Sequence, residues 1–222
     1  MKILYYTGWS ITRVLSKLLF RIRVRGREHM PKSGGFILAT NHISWYDPPL
    51  VGSWAGRQVY FFAKSELFKI PLLGWAIRRT NALPVKRGTV DRKSIEASVS
   101  VISQGYGLTF FPEGTRSKTD KFLDPKPGLG LLAVRAKCPI VPGYVHGANK
   151  LKDCFLGRER LVVVFGEPLS AEWVASFPDN KEGYIRLSAA VMERIGDLKQ
   201  SVLRDKVGGG SADAKASDRK KT

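Results

Sequence analysis

The chain has 222 residues, enough for one domain with a full core, and a hydrophobic fraction of 43% that is ordinary for a globular protein. Its formal charge of +18 is not ordinary and implies an anionic partner, either nucleic acid or an anionic bilayer surface. Three histidines and two cysteines, Cys138 and Cys154, show no ligand spacing; this argues against a zinc site and for free thiols in a reducing compartment.

Before Glu28 there are seven basic residues (Lys2, Arg13, Lys17, Arg21, Arg23, Arg25 and Arg27) and no acid. Gly8, Arg13 and Lys17 interrupt residues 1–20, so the stretch is neither a secretory signal nor an apolar run of the roughly 20 residues a bilayer span needs. Ile3, Leu4, Ile11, Val14, Leu15, Leu18 and Leu19 instead recur near helical spacing, with Tyr5, Tyr6 and Trp9 among them. An apolar stripe with aromatic and basic residues describes an amphipathic helix lying in a membrane interface, and the alternative is a core helix with a basic outer face.

From residue 28 short apolar runs alternate with helical patterns. Strands are predicted at 36–40, 58–63, 82–85, 108–111, 139–145 and 161–165. Helices are predicted from Asp47, as N-cap ahead of Pro48, and at 72–79, 89–104, 128–137, 171–177 and 181–203. Such alternation argues an α/β sheet covered on both faces. Residues 207–222, rich in Gly, Ser, Ala and Lys, have no apolar periodicity and are expected to form a disordered tail.

Two segments carry chemistry. Residues 41–47 read Asn-His-Ile-Ser-Trp-Tyr-Asp, and residues 111–117 read Phe-Pro-Glu-Gly-Thr-Arg-Ser. On a continuous helix His42 and Asp47 would point about 140° apart, so they meet only if the chain turns between them. The end of one strand and the start of the next helix supply that turn, and catalytic groups commonly sit there in such sheets. Asp47 is then placed to hold one ring nitrogen of His42, leaving the other as a base. The bland alternative is a capping aspartate beside a surface histidine. The second segment also follows a strand. Gly114 lets the backbone approach a ligand closely, and Arg116 is suited to a phosphate.

These two segments resemble the His-x4-Asp and Phe-Pro-Glu-Gly-Thr-Arg-Ser blocks of the glycerolipid acyltransferases. Residues 62–68 (Phe-Ala-Lys-Ser-Glu-Leu-Phe), 83–88 (Leu-Pro-Val-Lys-Arg-Gly) and 139–142 (Pro-Ile-Val-Pro) resemble three further blocks, in the expected order, from about residue 20 to 170. The pattern is most like that of the bacterial 1-acylglycerol-3-phosphate acyltransferases. At 124–128 the chain reads Asp-Pro-Lys-Pro-Gly, where relatives carry an aromatic and more lysine. The resemblance implies a mixed, largely parallel sheet covered by helices. Together with the N-terminal and C-terminal patterns above, it divides the chain into an interface segment at 1–27, an acyltransferase domain at 28–206 and the tail.

The implied reaction moves a fatty acyl group from acyl-CoA or acyl-ACP to the sn-2 hydroxyl of lysophosphatidic acid, giving phosphatidic acid, with no cofactor or metal. His42 would be the general base and Asp47 its orienting partner. Arg87, Glu113, Gly114, Thr115 and Arg116, with Lys64, would hold the phosphorylated acceptor. Backbone N–H groups near Gly114 are candidates for the oxyanion. The enzyme would sit monotopically on the cytoplasmic face of the inner membrane. Competing readings are an acyltransferase for another lysophospholipid, a lyso-aminolipid or glycerol 3-phosphate, a non-catalytic lipid-binding homologue, and a nucleic-acid-binding protein. The N-terminal basic residues flank apolar ones, which favours lipid over nucleic acid.

Overall fold

The computed structural model describes residues 2–85 and 92–218, with side chains at 3–85 and 92–205. Its strands are β1 (Arg23–Arg25), β2 (Phe36–Thr40), β3 (Val59–Lys64), β4 (Ala82–Val85), β5 (Gly107–Phe110), β6 (Ile140–His146) and β7 (Val162–Phe165). They form one sheet in the order β1-β7-β6-β2-β5-β3-β4. From β6 to β4 every neighbour is parallel, while β7 runs antiparallel to β6 and parallel to β1. The sheet is therefore mixed and largely parallel.

The helices are α1 (Lys2–Phe20), α2 (Asp47–Trp54), α3 (Pro71–Arg78), α4 (Arg92–Ser103), α5 (Gly128–Ala136), α6 (Leu151–Phe155), α7 (Ala171–Ala175) and α8 (Lys181–Asp218). They cover both faces, and β2 shows why the strands are apolar throughout. Ile37 and Ala39 join one core with Leu129 and Leu132 of α5 and Leu187 and Ile195 of α8. Phe36 and Leu38, pointing the other way, join a second core with Leu50 and Val51 of α2. All five β2 residues are buried. Burial of side chains of this kind stabilises by about 1.5–3 kcal/mol each.

α1 turns a polar-aromatic stripe toward the body. The Val59 N–H donates to the Tyr5 hydroxyl at 3.1 Å, Trp9 Nε1 donates to the Gly52 carbonyl at 2.7 Å, and Trp54 Nε1 donates to Ser16 Oγ at 3.1 Å. The Arg13 guanidinium lies 3.9 Å from the Trp9 ring centroid. The apolar side chains at 3, 11, 14, 15, 18 and 19 are left exposed. This helix packs by its polar side and presents its greasy side outward, the reverse of an ordinary surface helix. Among the described residues no helix is long and apolar enough to cross a membrane.

The sheet departs from the sequence reading at its ends. β1, at 23–25, lies inside the proposed N-terminal segment yet pairs with β7, so the boundary at 27 cuts through the sheet. Alternating arginines hid it: Arg23 and Arg25 are the exposed positions of an edge strand, and Arg25 pairs with Asp205. α8 is described through Asp218, past the boundary at 206, and its side chains are described to Asp205. Cys138 and Cys154 are buried thiols, and burial pushes the Cys138 thiol up to about 12.

Candidate active site

β2, β5 and β3 are parallel neighbours, so the segments that follow them emerge at one edge of the sheet. After β2 the Asn41 amide pairs in both directions with the backbone of Val145, donating at 3.0 Å and accepting at 2.8 Å. This ties the end of β2 to β6 and sets the direction in which His42 leaves the strand. The chain then turns back, and Pro48 and Pro49 open α2.

Within that turn His42 Nδ1 and Asp47 Oδ2 are 2.8 Å apart. Asp47 is the first residue of α2 and not its N-cap, and its carboxylate reaches backward. The same Oδ2 accepts from the Ile43 N–H at 2.7 Å and the Ser44 N–H at 2.8 Å. Three donors on one oxygen fix the carboxylate, and the carboxylate fixes the ring. The Asp47 side chain is fully buried, whereas that of His42 is 13% exposed. Phe111 stacks on the imidazole, with centroids 4.0 Å apart and planes at 19°. With Nδ1 engaged, Nε2 is the ring atom available to a substrate.

The loop after β5 closes on the same histidine. Its main-chain N–H donates to Glu113 Oε1 at 2.9 Å, and its carbonyl accepts from the Ser117 N–H at 2.8 Å. Glu113 Oε2 accepts from the Leu123 N–H at 2.9 Å. Both oxygens of a buried carboxyl are thus spent on backbone. Burial pushes this carboxyl above the ordinary glutamate range, and the two amides bring it only part of the way back. Sequence reasoning placed Glu113 among acceptor-binding groups; its contacts are those of a brace between the two segments.

Gly114 adopts φ +68, and a Cβ there would stand 3.3 Å from the Lys126 side chain. The left-handed turn asks for glycine. Its N–H donates to the Phe111 carbonyl at 3.0 Å, so it is spent on the turn. Thr115 is exposed beside it. The Arg116 guanidinium lies 3.8 Å from the ring centroid of Trp45, a residue that is 59% exposed. Lys64 ends β3 at the same edge. Arg87 lies two residues past β4 in sequence and outside the described residues. The structure therefore brings together His42, Asp47, Glu113 and the 114–116 turn, with Arg116 held against Trp45. The roles of Phe111, Ser117 and Trp45 were missed: a motif's spacing does not say which of its apolar members stacks and which is exposed.

A histidine steered by a buried carboxylate, beside a cationic turn at a strand edge, suits proton abstraction from a hydroxyl on an anionic molecule. The chain is 29% identical over 191 residues to a 1-acyl-sn-glycerol-3-phosphate acyltransferase of Bacillus subtilis, covering 86% of this chain and 94% of that protein. It is 32% identical over 146 residues to the protein of the same name in Streptococcus pneumoniae, covering 65% of this chain and 53% of that one. It is 28% identical over 171 residues to a lyso-ornithine lipid O-acyltransferase of Pseudomonas aeruginosa, covering 75% and 64%. The crystal structure of the 1-acyl-sn-glycerophosphate acyltransferase PlsC from Thermotoga maritima superposes with a TM-score of 0.68 at 26% identity, covering 88% of this chain and 79% of that one. Residues 21–146, which hold both motif segments, match the Acyltransferase family, and the chain belongs to it.

Proposed function

We propose that this enzyme transfers a fatty acyl group from a thioester, acyl-CoA or acyl-ACP, to the sn-2 hydroxyl of 1-acyl-glycerol-3-phosphate, yielding phosphatidic acid. The observation that carries the reading is the His42–Asp47 pair at 2.8 Å, braced from behind by Glu113. His42 Nε2 takes the hydroxyl proton as the oxygen attacks the thioester carbonyl, and Asp47 stabilises the imidazolium. The tetrahedral intermediate collapses, the carbon–sulfur bond breaks, and the leaving thiolate receives the proton from His42. General-base help of this kind is worth roughly 10²–10⁴-fold.

With the Gly114 amide committed to the turn, the neighbouring Thr115 and Arg116 N–H groups are the donors we assign to the oxyanion. Such a donor contributes about 3 kcal/mol. Arg116, Lys64 and Arg87 would hold the acceptor's phosphate, Arg116 by swinging from Trp45. Neither cysteine suits a covalent acyl-enzyme, since both thiols are buried and lie outside the two motif segments. With no Gly-x-Ser-x-Gly segment in the sequence either, direct transfer within a ternary complex is the course we propose.

The outward apolar stripe of α1 supports attachment to one leaflet of a membrane, where acceptor and product move laterally. The deciding experiment assays purified protein with both thioester donors against lysophosphatidic acid, other lysophospholipids, lyso-ornithine lipid and glycerol 3-phosphate. Turnover confined to lysophosphatidic acid supports the reading. A preference for the zwitterionic aminolipid would move the acceptor away from phosphate, and transfer to none of them would end the proposal.

A further inference from the structure

The segment after β3 turns through one 3-10 turn (Ser65–Lys69) into α3, and α3 packs in an unusual way. Only Gly74 of its residues is buried, and a Cβ there would stand 2.3 Å from the Phe68 carbonyl oxygen. The helix thus rests backbone to backbone on the preceding turn and holds its large side chains outward. Leu72 is 87% exposed, Trp75 51%, Ile70 48% and Leu73 42%. Basic groups rim this patch. Arg79 sits 4.3 Å from the Trp75 ring centroid, Arg78 donates to the Phe68 carbonyl at 2.8 Å, and Lys69 is exposed. From Lys69 to Arg79 there is no acid.

We infer that α3 is a second membrane-inserting element, separate from α1, whose occupant is the headgroup and upper acyl region of an anionic bilayer. Three observations select a bilayer. The patch pairs large apolar tips with the basic side chains of Lys69, Arg78 and Arg79, the one nearby acid of the preceding turn being Glu66, an arrangement that places apolar side chains below lipid phosphates and guanidinium groups among them. Its four exposed side chains offer on the order of 400 Å², about half of what each partner of a stable dimer buries.

The third observation is position. α3 follows the carboxyl end of β3, the edge from which His42 and the 111–117 loop emerge. β1 runs opposite to β6, so the last turn of α1, with Leu18 and Leu19 exposed, meets the sheet at that edge too. Two apolar contacts at the edge that carries the site would fix its orientation toward the lipid, where one helix would leave the body free to swing. The inference rests on the reading of this enzyme as one that acts on membrane lipids.

The test attaches an environment-sensitive fluorophore to the full chain through Leu72→Cys; the native thiols are buried. The control carries it on exposed Glu172 of α7, through Glu172→Cys. With vesicles of phosphatidylcholine and phosphatidylglycerol, the label at 72 should brighten, shift to the blue and be quenched by lipid-borne nitroxide, while the control stays water-like. Unlabelled Leu72→Ser/Leu73→Ser protein, with α1 intact, should bind these vesicles about tenfold more weakly at unchanged melting temperature.

A water-like label at 72 on a chain that still co-sediments would overturn the inference and leave α1 as the sole attachment. A shift that grows with protein concentration without lipid would replace the bilayer by a second copy. Failure to co-sediment at all would remove both contacts. Acyl transfer to a short-chain acceptor dispersed in water reports on the chemistry separately, so its loss would sink the proposed function and not this surface.

Discussion

The main-chain N–H of His42 and the carboxyl of Glu113 meet at 2.9 Å across 71 residues of sequence. This contact, with the Ser117 N–H on the His42 carbonyl, locks the histidine between the ends of two adjacent strands. It explains how two motif segments far apart in the chain act as one unit. Glu113 organises the backbone from which the proton acceptor hangs, and Asp47 organises the ring.

Glu113→Gln should cost stability, because a side-chain amide accepts through only one of its two end atoms and one buried N–H loses its partner. A loss of about 1–3 kcal/mol is expected for an orphaned buried donor. The pH dependence carries a sign. Burial holds the folded carboxyl's pKa above its unfolded value, so between about pH 4.3 and that raised value the folded chain binds more protons than the unfolded one. The Glu113 contribution is therefore greatest at lower pH and falls as pH rises through this window. Melting curves of the glutamine variant should lack that slope; an unchanged slope would show that the carboxyl titrates normally.

His42→Ala should fold normally and lose activity by at least 10²–10⁴-fold, with vesicle binding intact. Asp47→Asn should lose both activity and stability, because Oδ2 serves three donors and the amide gives up a charge-assisted acceptor worth about 1.5–3 kcal/mol. Circular dichroism and steady-state kinetics on the two variants separate these effects. Near-normal turnover by folded His42→Ala protein would end the mechanism.

Trp45 and Arg116 give a kinetic prediction. If the guanidinium leaves the Trp45 ring to take a phosphate, Arg116→Ala should mainly raise KM for the phosphorylated acceptor, as should Arg87→Ala. Trp45→Ala, which frees Arg116, should change acceptor KM with little effect on the donor, and Trp45→Phe should restore most of it. Effects confined to the thioester donor would reassign the cationic turn to the other substrate.

Much of the architecture was legible because buried parallel strands are continuous apolar runs. Residues 36–40 and 82–85 were read to the residue, and 161–165 to within one. β1 was not, since its ladder partners are distant and its outward positions are arginine. α6 and α7 are both five residues, too short for helical periodicity to register; α7 was legible and has a Ser170 cap, whereas α6 has no side-chain cap. At the site, the expected turn between strand and helix, together with the second motif, was enough to join His42 with Asp47. It did not reveal that Glu113 faces backbone, because an acidic residue beside arginine suggests a salt bridge and nothing local shows that two amides lie closer. The N-terminal stripe was visible as a pattern, and the aromatic and basic residues beside it favoured an outward face over a core helix; which side chains anchor the helix to the body was not legible, because Tyr5, Trp9 and Ser16 look no more inward in sequence than Leu15 or Leu18.

That direction supplies the last prediction. Leu15, Leu18 and Leu19 are exposed at 46%, 71% and 42%, so replacing all three by serine removes little from the folded core. The melting temperature should stay within a few degrees of the parent. On a bilayer the same side chains would each contribute up to about 1.5–3 kcal/mol, so vesicle affinity should fall by about 100-fold or more. The basic residues near α1 add an attraction of about 1 kcal/mol each to an anionic surface, which makes part of the binding salt-sensitive. High salt should thus release a fraction of the parent chain and release the serine variant more completely, since only the basic residues and α3 then hold it. Its activity should drop more on bilayer-bound lysophosphatidic acid than on a dispersed short-chain acceptor. If the triple variant unfolds, and the parent never co-sediments with anionic vesicles, α1 belongs to the core and the outward stripe has another purpose.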